Sequence, residues 1–467
     1  DEEFIEAHTD GFDELRASIE AADWRDIETE SGLSEARLRD AGERFLRAER
    51  AIVCWGMGIT QHRRSVATIQ MLVNLMLLGG HIGRPGAGIC PVRGHSNVQG
   101  DRTMGIYEKP SPALLDRLQQ VFGFEPPREH GVETVGAIEA MRDAQGKVFF
   151  AMGGNFATAT PDTEATHAAL RNCALTVHVA TKLNRSHLVH GRDALILPCL
   201  GRTEIDRQAH GPQAVTVEDS MSMVHLSSGR NEPASPDLLS EPDIVARLAQ
   251  ATLGQRSDTP WRWLVQDYDR IRDQIARVFD DFHDFNERVQ VPGGFRLPNS
   301  ASDRLWRTET GKARFFAHSL HPQDSTLAED RRGQVFTLTT VRSHDQYNTT
   351  IYGLHDRYRG VHNERRALFI HADDIAMLGF EAGQRVDIES IAGDDSRRWA
   401  RGFLLVAYDI PRGCLAAYYP ETNLLVPLDS FAEHARTPAS KAISVLLHTH
   451  DPSTSTQPRD IPATVID

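Results

Sequence analysis

The stretch from Ala51 to Gly80, AIVCWGMGITQHRRSVATIQMLVNLMLLGG, decides the fold class. Its first five residues are a short apolar run that reads as a buried strand. The run breaks at Gly56 and Gly58. Apolar residues then recur at Val66, Ile69, Leu72, Val73 and Met76, a helical spacing closed by Gly79 and Gly80. Strand, glycine turn and helix make half of a doubly wound α/β unit, in which the helix points free amides at a ligand, usually a phosphate. The nicotinamide fingerprint is incomplete, because Gln61 stands where the third glycine belongs and no acidic residue ends a second strand at the usual distance. A packing-only glycine turn fits the same residues.

A second unit of the same kind follows. SPALLDRLQQVF begins with a Ser111 cap and Pro112 in the first turn, and VETVGAIEAMRDA is a further helix. KVFFAMGGN then runs from strand into turn at Gly153, Gly154 and Asn155, with Asp162 placed to cap the next helix. LTVHVA and ALILP supply two more strands. Thr181, Lys182, Asn184, Arg185 and His187 come just beyond the first of them, where open α/β sheets bind ligands. A solvated polar loop is the alternative for that segment.

Between the two units, eight glycines from Gly79 to Gly105 exclude a helix or regular strand and predict a long irregular loop. Within it, Arg93 is followed by Gly94 and flanked by His95, Asn97 and Gln99. A guanidinium is a permanent planar cation that grips a carboxylate or phosphate at two points. An arginine bonding loop carbonyls is the alternative.

Downstream the texture changes. Residues 213–333 read as a connecting region around a helix at WRWLVQDYDRIRDQIARVF. From 334 to 467 the runs VFTLTTVR, ALFIH, RVDIES, GFLLVAYDI, CLAAYY and AISVLL predict a small β barrel. After its first strand come Arg342, His344, Asp345, Gln346, Asn348, Thr349 and Thr350, short polar groups able to surround a heteroaromatic edge and its phosphates. Glu421, Asn423, Thr437, Ser440 and Lys441 lie farther on, and on residue type alone Ser440 and Lys441 read as a solvated turn. His448 to His450 reads as a frayed strand end.

Composition sets limits on partners. The chain has 467 residues, too many for one core, and a formal net charge of −14, which argues against a nucleic-acid surface. Five scattered cysteines, Cys54, Cys90, Cys173, Cys199 and Cys414, form no CxxC and read as reduced, buried thiols. No apolar run reaches the length of a membrane span, and the acidic amphipathic start is unlike a signal peptide, so a cytoplasmic protein is expected. The start without Met, on the way into a helix, suggests a piece of a longer polypeptide.

Taken together, WGMGITQH, NLMLLGGHIGRPGAG, CPVRGHSNVQGDRTMG, MGGN, and NTT with PETN and TPASKA near the end resemble the molybdopterin oxidoreductases of the dimethyl sulfoxide reductase superfamily, in the formate dehydrogenase alpha-subunit-like branch. The resemblance covers nearly the whole chain. It implies two parallel-sheet dinucleotide-binding domains (1–95, the end of the first, and 96–212), the connecting region, and a double-psi β barrel over 334–467. It also implies a bis-molybdopterin guanine dinucleotide cofactor with molybdenum or tungsten. Gly56, Gly58, Thr60 and Gln61 are then expected on one dinucleotide, and Gly154, Asn155, Thr181, Lys182 and Asn184 on the other. Arg342, His344, Asp345, Asn348, Thr349, Asn423 and Lys441 are expected from the barrel.

In the same resemblance Arg93 orients formate for two-electron oxidation, and electrons leave toward a partner protein. A [4Fe-4S] cluster and the metal-ligating residue lie on residues upstream of this chain, which itself supplies no metal ligand. Two features depart from the family pattern: His95 where many formate dehydrogenases have Gln, and DRTMG in place of an Ala–Cys type of sequence. Histidine changes charge near neutral pH, which makes His95 a candidate proton relay. A cofactor-free scaffold subunit of an electron-transfer complex is the other reading.

Overall fold

The computed structural model describes residues 1–320, 335–349, 353–391 and 396–454. Thr350, the 333/334 junction and the end of the chain lie outside the described residues.

Strands β1 (Ile52–Trp55) and β2 (Gly88–Pro91) pair in parallel, and helix α1 (Ser65–Leu78) covers one face. Val53 and Val73 pack there against Met76, Leu77, Leu15 and Phe315. The other face is open, so β1 is not the buried strand its composition suggested: Ile52 is 60% exposed, and Cys54 is exposed as well. A two-stranded sheet covered on one side can hide only alternate residues. The cysteines divide accordingly, with Cys173 and Cys199 buried but Cys90 and Cys414 only half-buried.

The glycine-rich stretch is also more regular than expected. It contains β2 and the short helix α2 (Val98–Thr103). Gly100 belongs inside that helix because a Cβ there would stand 2.2 Å from Asn97 Oδ1, an oxygen that accepts from the Glu218 amide at 3.0 Å.

The second α/β portion holds β3 (Val148–Met152), β4 (Leu175–Ala180) and β5 (Asp193–Pro198) in one parallel sheet. Helices α3 (Thr134–Arg142) and α4 (Thr163–Arg171) bury Val135, Ile138, Ala169 and Leu170 beside it. The sheet's apolar residues are not all covered: Val148 is 61% exposed and Leu195 50%.

The region after residue 213 carries an antiparallel sheet of β6 (Val215–Glu218), β7 (Met223–Ser227) and Phe295–Arg296. The helix expected at 261–279 is two helices, Trp261–Val265 and Tyr268–Val278, because the Asp267 carboxylate caps a new start at the Asp269 amide.

Six strands then close a barrel: β8 (Phe336–Val341), β9 (Ala367–Ile370), β10 (Arg385–Ser390), β11 (Arg398–Ala407), β12 (Cys414–Tyr418) and β13 (Ile443–Thr449). Their order is β8-β12-β9-β11-β10-β13, with β13 returning to β8. The pairs β8/β12 and β9/β11 are parallel and the other four antiparallel. Leu338, Leu368, Ile370, Val386, Ile388, Phe403 and Val445 fill the interior. The end of β13 is not frayed. His448 Nε2 meets Glu389 at 2.9 Å, and His450 Nδ1 meets the buried Asp387 at 2.7 Å.

Asp162 fastens the barrel to the second sheet. Its Oδ1 accepts from the Ala165 amide at 3.3 Å, capping α4, while Oδ2 pairs with Arg398 on β11 at 2.8 Å. Both side chains are nearly buried. Asp162→Asn keeps the cap acceptor and removes the charge, so it is expected to lower unfolding stability by about 1–2 kcal/mol, the worth of a charge-assisted bond. A denaturant midpoint equal to wild type rejects this.

Candidate cofactor cleft

Both glycine turns are built alike, and neither leads straight into the long helix expected from the sequence. After β1 the chain passes Gly56 into a single helical turn, Met57–Thr60, before α1 begins at Ser65. After β3 it passes Gly153 and Gly154 into another, Phe156–Ala159, before α4. Gly153 and Gly154 have φ of 70° and 78°, the left-handed region that disfavours side chains. A Cβ at either would meet nothing within 4 Å. Space above this turn is open, and its only steric demand is on the backbone. Gly154→Ala should therefore cost about 1–2 kcal/mol from backbone strain alone. An unchanged thermal midpoint would contradict it.

A cleft of about 530 Å³ opens between these turns and the barrel. Gly153, Gly154 and Asn155 form one wall. Thr340, Arg342, Asn348, Tyr419, Ser440 and Lys441 come from the barrel, and Met57, Gln61 and His95 from the first α/β portion. Phe149, Phe150 and Phe156 add an aromatic surface, the first and last with ring centroids 4.8 Å apart.

The structure separates the expected site residues by what their polar groups are doing. Asn155 donates from Nδ2 to the Asn348 carbonyl and accepts from Ser186 Oγ, each at 3.0 Å. Asn184 Nδ2 donates to the Gly154 carbonyl at 2.7 Å, and Asn423 Nδ2 to the Thr158 carbonyl at 3.0 Å. These three asparagines hold the cleft's frame. Their side-chain donors are engaged with protein rather than pointed at a ligand.

Gln61 ties the first turn to the barrel, since its Oε1 accepts from Ser440 Oγ at 2.9 Å and its carbonyl from the Lys441 amide at 3.2 Å. Ser440 and Lys441 are thus part of an interface and not a solvated turn. The reason is tertiary: the segment lies under the 57–61 turn. Lys441 Nζ donates to the Thr340 carbonyl and, at 3.1 Å, to Thr340 Oγ1. Burial, with Arg342 nearby, pushes its ammonium down to about 8, and no carboxylate pairs with it among the described residues. A half-buried cation without a counter-charge suits an anionic ligand.

Arg342 sits 5.6 Å over the Tyr419 ring, and His95 packs 6.3 Å from the Tyr347 ring. Arg93 is exposed just beyond β2 and is not among the residues that line the cleft. Its amide donates to Ser220 Oγ at 3.4 Å and its Nε to Gln99 Oε1 at 3.0 Å, while its two terminal nitrogens have no partner among the described residues.

Other expected residues do not line the cleft. Gly56, Gly58 and Thr60 lie in and around the first turn behind Gln61. Thr181 and Lys182 are exposed beyond β4. His344 is occupied by Arg357, packs against Tyr358 and lies 3.5 Å from Asp345, and Thr349 accepts from the Tyr347 amide through its carbonyl.

Sequence reasoning missed Met57, Thr134 and Tyr419, and also His62, whose Nε2 bonds the Gly58 carbonyl at 2.9 Å. Burial, and to a smaller degree Lys441, lowers His62. Its position directly after Gln61 was the only available signal. Among the described residues no group of three or more His, Cys, Asp or Glu could hold a metal ion, and no helix is long and apolar enough to cross a membrane.

Comparison with known proteins gives this geometry a context. The family model for molybdopterin oxidoreductases matches residues 33–188, and that for the molybdopterin dinucleotide-binding domain matches 336–444, so the cleft lies between the two matched regions. An uncharacterised oxidoreductase of Mycobacterium tuberculosis, Rv2900c, is 51% identical over 452 residues, 96% of this chain and 57% of its own length. The chain thus spans little more than half of that relative. Formate dehydrogenase H of Escherichia coli is 35% identical over 134 residues, 27% of this chain and 19% of its own. Among solved structures, acetylene hydratase from Pelobacter acetylenicus superposes with a TM-score of 0.68 at 15% identity, covering 96% of this chain and 68% of its own, a likeness of fold.

Proposed function

The chain belongs to the molybdopterin oxidoreductases, and we propose that it forms the dinucleotide-clamping portion of a molybdenum or tungsten enzyme that oxidises a small carboxylate, formate first. The observation that carries this reading is the cleft with Lys441 half-buried in its wall and no carboxylate among the described residues to neutralise the charge. A cofactor-free scaffold gains nothing from a half-buried ammonium without a carboxylate partner.

The residues present fit a polyanionic, heteroaromatic group. Lys441, Arg342 and the Asn348 side chain offer donors to phosphate and ring edges, and Phe149, Phe150 and Tyr419 offer flat apolar contact. The open Gly153–Gly154 turn lets a ligand approach the backbone. Two such dinucleotides complete the cofactor, while the [4Fe-4S] cluster, the metal-ligating residue and an electron-accepting partner protein belong to this proposal outside the present chain. The apolar residues left open at Val148 and Leu195 offer that remainder a packing surface.

When bound, the metal–pterin group supplies the acceptor for an electron pair. Formate oxidation releases CO2, one proton and two electrons. Arg93 contributes orientation: with Nε fixed by Gln99, its two terminal nitrogens present a fork to the carboxylate. His95, on the cleft wall two residues on, is placed to take the proton and pass it toward solvent. The deciding experiment is elemental analysis of the natively purified full-length protein from a host that makes the cofactor. Near-stoichiometric molybdenum or tungsten supports the reading, and metal-free protein favours the scaffold.

A further inference from the structure

Cys54 and Cys90 are direct register partners in the parallel pair β1/β2. Adjacent strands lie about 4.8 Å apart, inside the roughly 4.4–6.8 Å between Cα atoms that a disulfide spans. Their side chains fall on the same face, the one α1 does not cover, and each thiol lies within the electrostatic reach of the other. Both are free thiols, and among the described residues no other pair of cysteines is in register. The pair sits at a branch point. One residue beyond Cys54 and Cys90 the strands end with Trp55 opposite Pro91; β1 continues into the Gly56–Thr60 turn, and β2 into the loop bearing Arg93 and His95.

We propose that Cys54 and Cys90 are a redox-active dithiol that hydroperoxides close to a disulfide, joining the root of the cofactor turn to the root of the Arg93 loop. The inference does not rest on the proposed reaction. Burial and the neighbouring Cys54 raise the Cys90 thiol, which leaves the exposed Cys54 as the attacking sulfur. In the first step the Cys54 thiolate attacks one peroxide oxygen, the O–O bond breaks, and hydroxide leaves with Cys54 as a sulfenic acid. In the second, Cys90 sulfur attacks the Cys54 sulfur, the S–S bond forms, the S–O bond breaks, and the departing oxygen takes the Cys90 proton as water. Two thiols and one hydrogen peroxide give one disulfide and two waters. A disulfide in a compartment that keeps thiols reduced is transient, as a switch requires.

The test treats the full-length protein with hydrogen peroxide, blocks remaining thiols by alkylation and maps peptides without reductant. The expected product is one species linking the Cys54 and Cys90 peptides in the majority of chains, reversed by dithiothreitol, with Cys173, Cys199 and Cys414 still alkylated. In Cys90→Ser the sulfenic acid should persist at Cys54 and be trapped by dimedone. Wild-type protein in which Cys54 and Cys90 both remain alkylatable after peroxide, or in which Cys54 links to a different cysteine, overturns the proposal. Wild-type mapping decides even where a variant folds poorly.

Discussion

Arg93→Ala in the full-length enzyme is expected to lower kcat/KM for formate by about a thousandfold, or about 4 kcal/mol of transition-state stabilisation, while metal and pterin content stay at wild-type levels. The expectation follows from how the side chain is held. Gln99 Oε1 fixes Nε, the backbone is anchored to Ser220, and the two terminal nitrogens remain for a substrate. Arg93→Lys keeps the charge but loses the planar fork and its second contact, so it should recover only part of the loss and remain below wild type by roughly 1.5–3 kcal/mol. Cofactor assay and steady-state kinetics on the same preparations separate the alternatives. Undiminished turnover in Arg93→Ala removes the substrate role, and loss of the cofactor makes the arginine structural.

Lys441 carries the second large effect. Its ammonium is pushed down to about 8, so the folded protein binds this proton less tightly than the unfolded chain does. Below pH 8 the full penalty, about 3 kcal/mol, opposes folding; between pH 8 and the ordinary lysine value near 10.5 stability rises as the unfolded chain gives up the proton as well. Above that the penalty is gone. Cofactor-free Lys441→Met should therefore have a higher urea midpoint than wild type at pH 7, with the two converging as the pH approaches about 10.5. Cofactor loading should reverse the order, because an anion repays the buried charge in wild type alone. Calorimetric titration in buffers of different ionisation enthalpy should show proton uptake on loading in wild type and less in the variant. Parallel pH profiles for the two cofactor-free proteins would reject this role for Lys441.

The framework of the α/β portions was legible locally. The apolar run at 51–55, the glycines that follow it and the 3.6-residue spacing of 66–76 locate β1, its turn and α1, because strand and helix leave different periods in a sequence. The six barrel strands were equally visible as short alternating runs, and all six pair in one closed sheet. Where local reading failed, a longer-range contact prevailed. The glycine-rich stretch holds a strand because β1 pairs with Gly88–Pro91, and a helix because Gly100 leaves room for Asn97 to reach Glu218.

Residue chemistry also named most of the polar groups around the cleft without revealing their duties. Asn155, Asn184 and Asn423 look in sequence like ligand donors of the same kind as Asn348, yet their amides are taken by carbonyls of neighbouring segments. An asparagine's hydrogen-bonding capacity is an intrinsic property, but which partner takes it depends on what the fold brings near. Ser440 and Lys441 make the point most sharply. Ordinary turn residues by type, they become a clasp on Gln61, 379 positions before Ser440 in the chain, and a half-buried cation facing an open cleft. Elements and their order follow from local periodicity; the cleft, its unpaired charge and the juxtaposed thiols of Cys54 and Cys90 follow only from closure of the chain on itself, because burial and proximity are properties of the packed molecule.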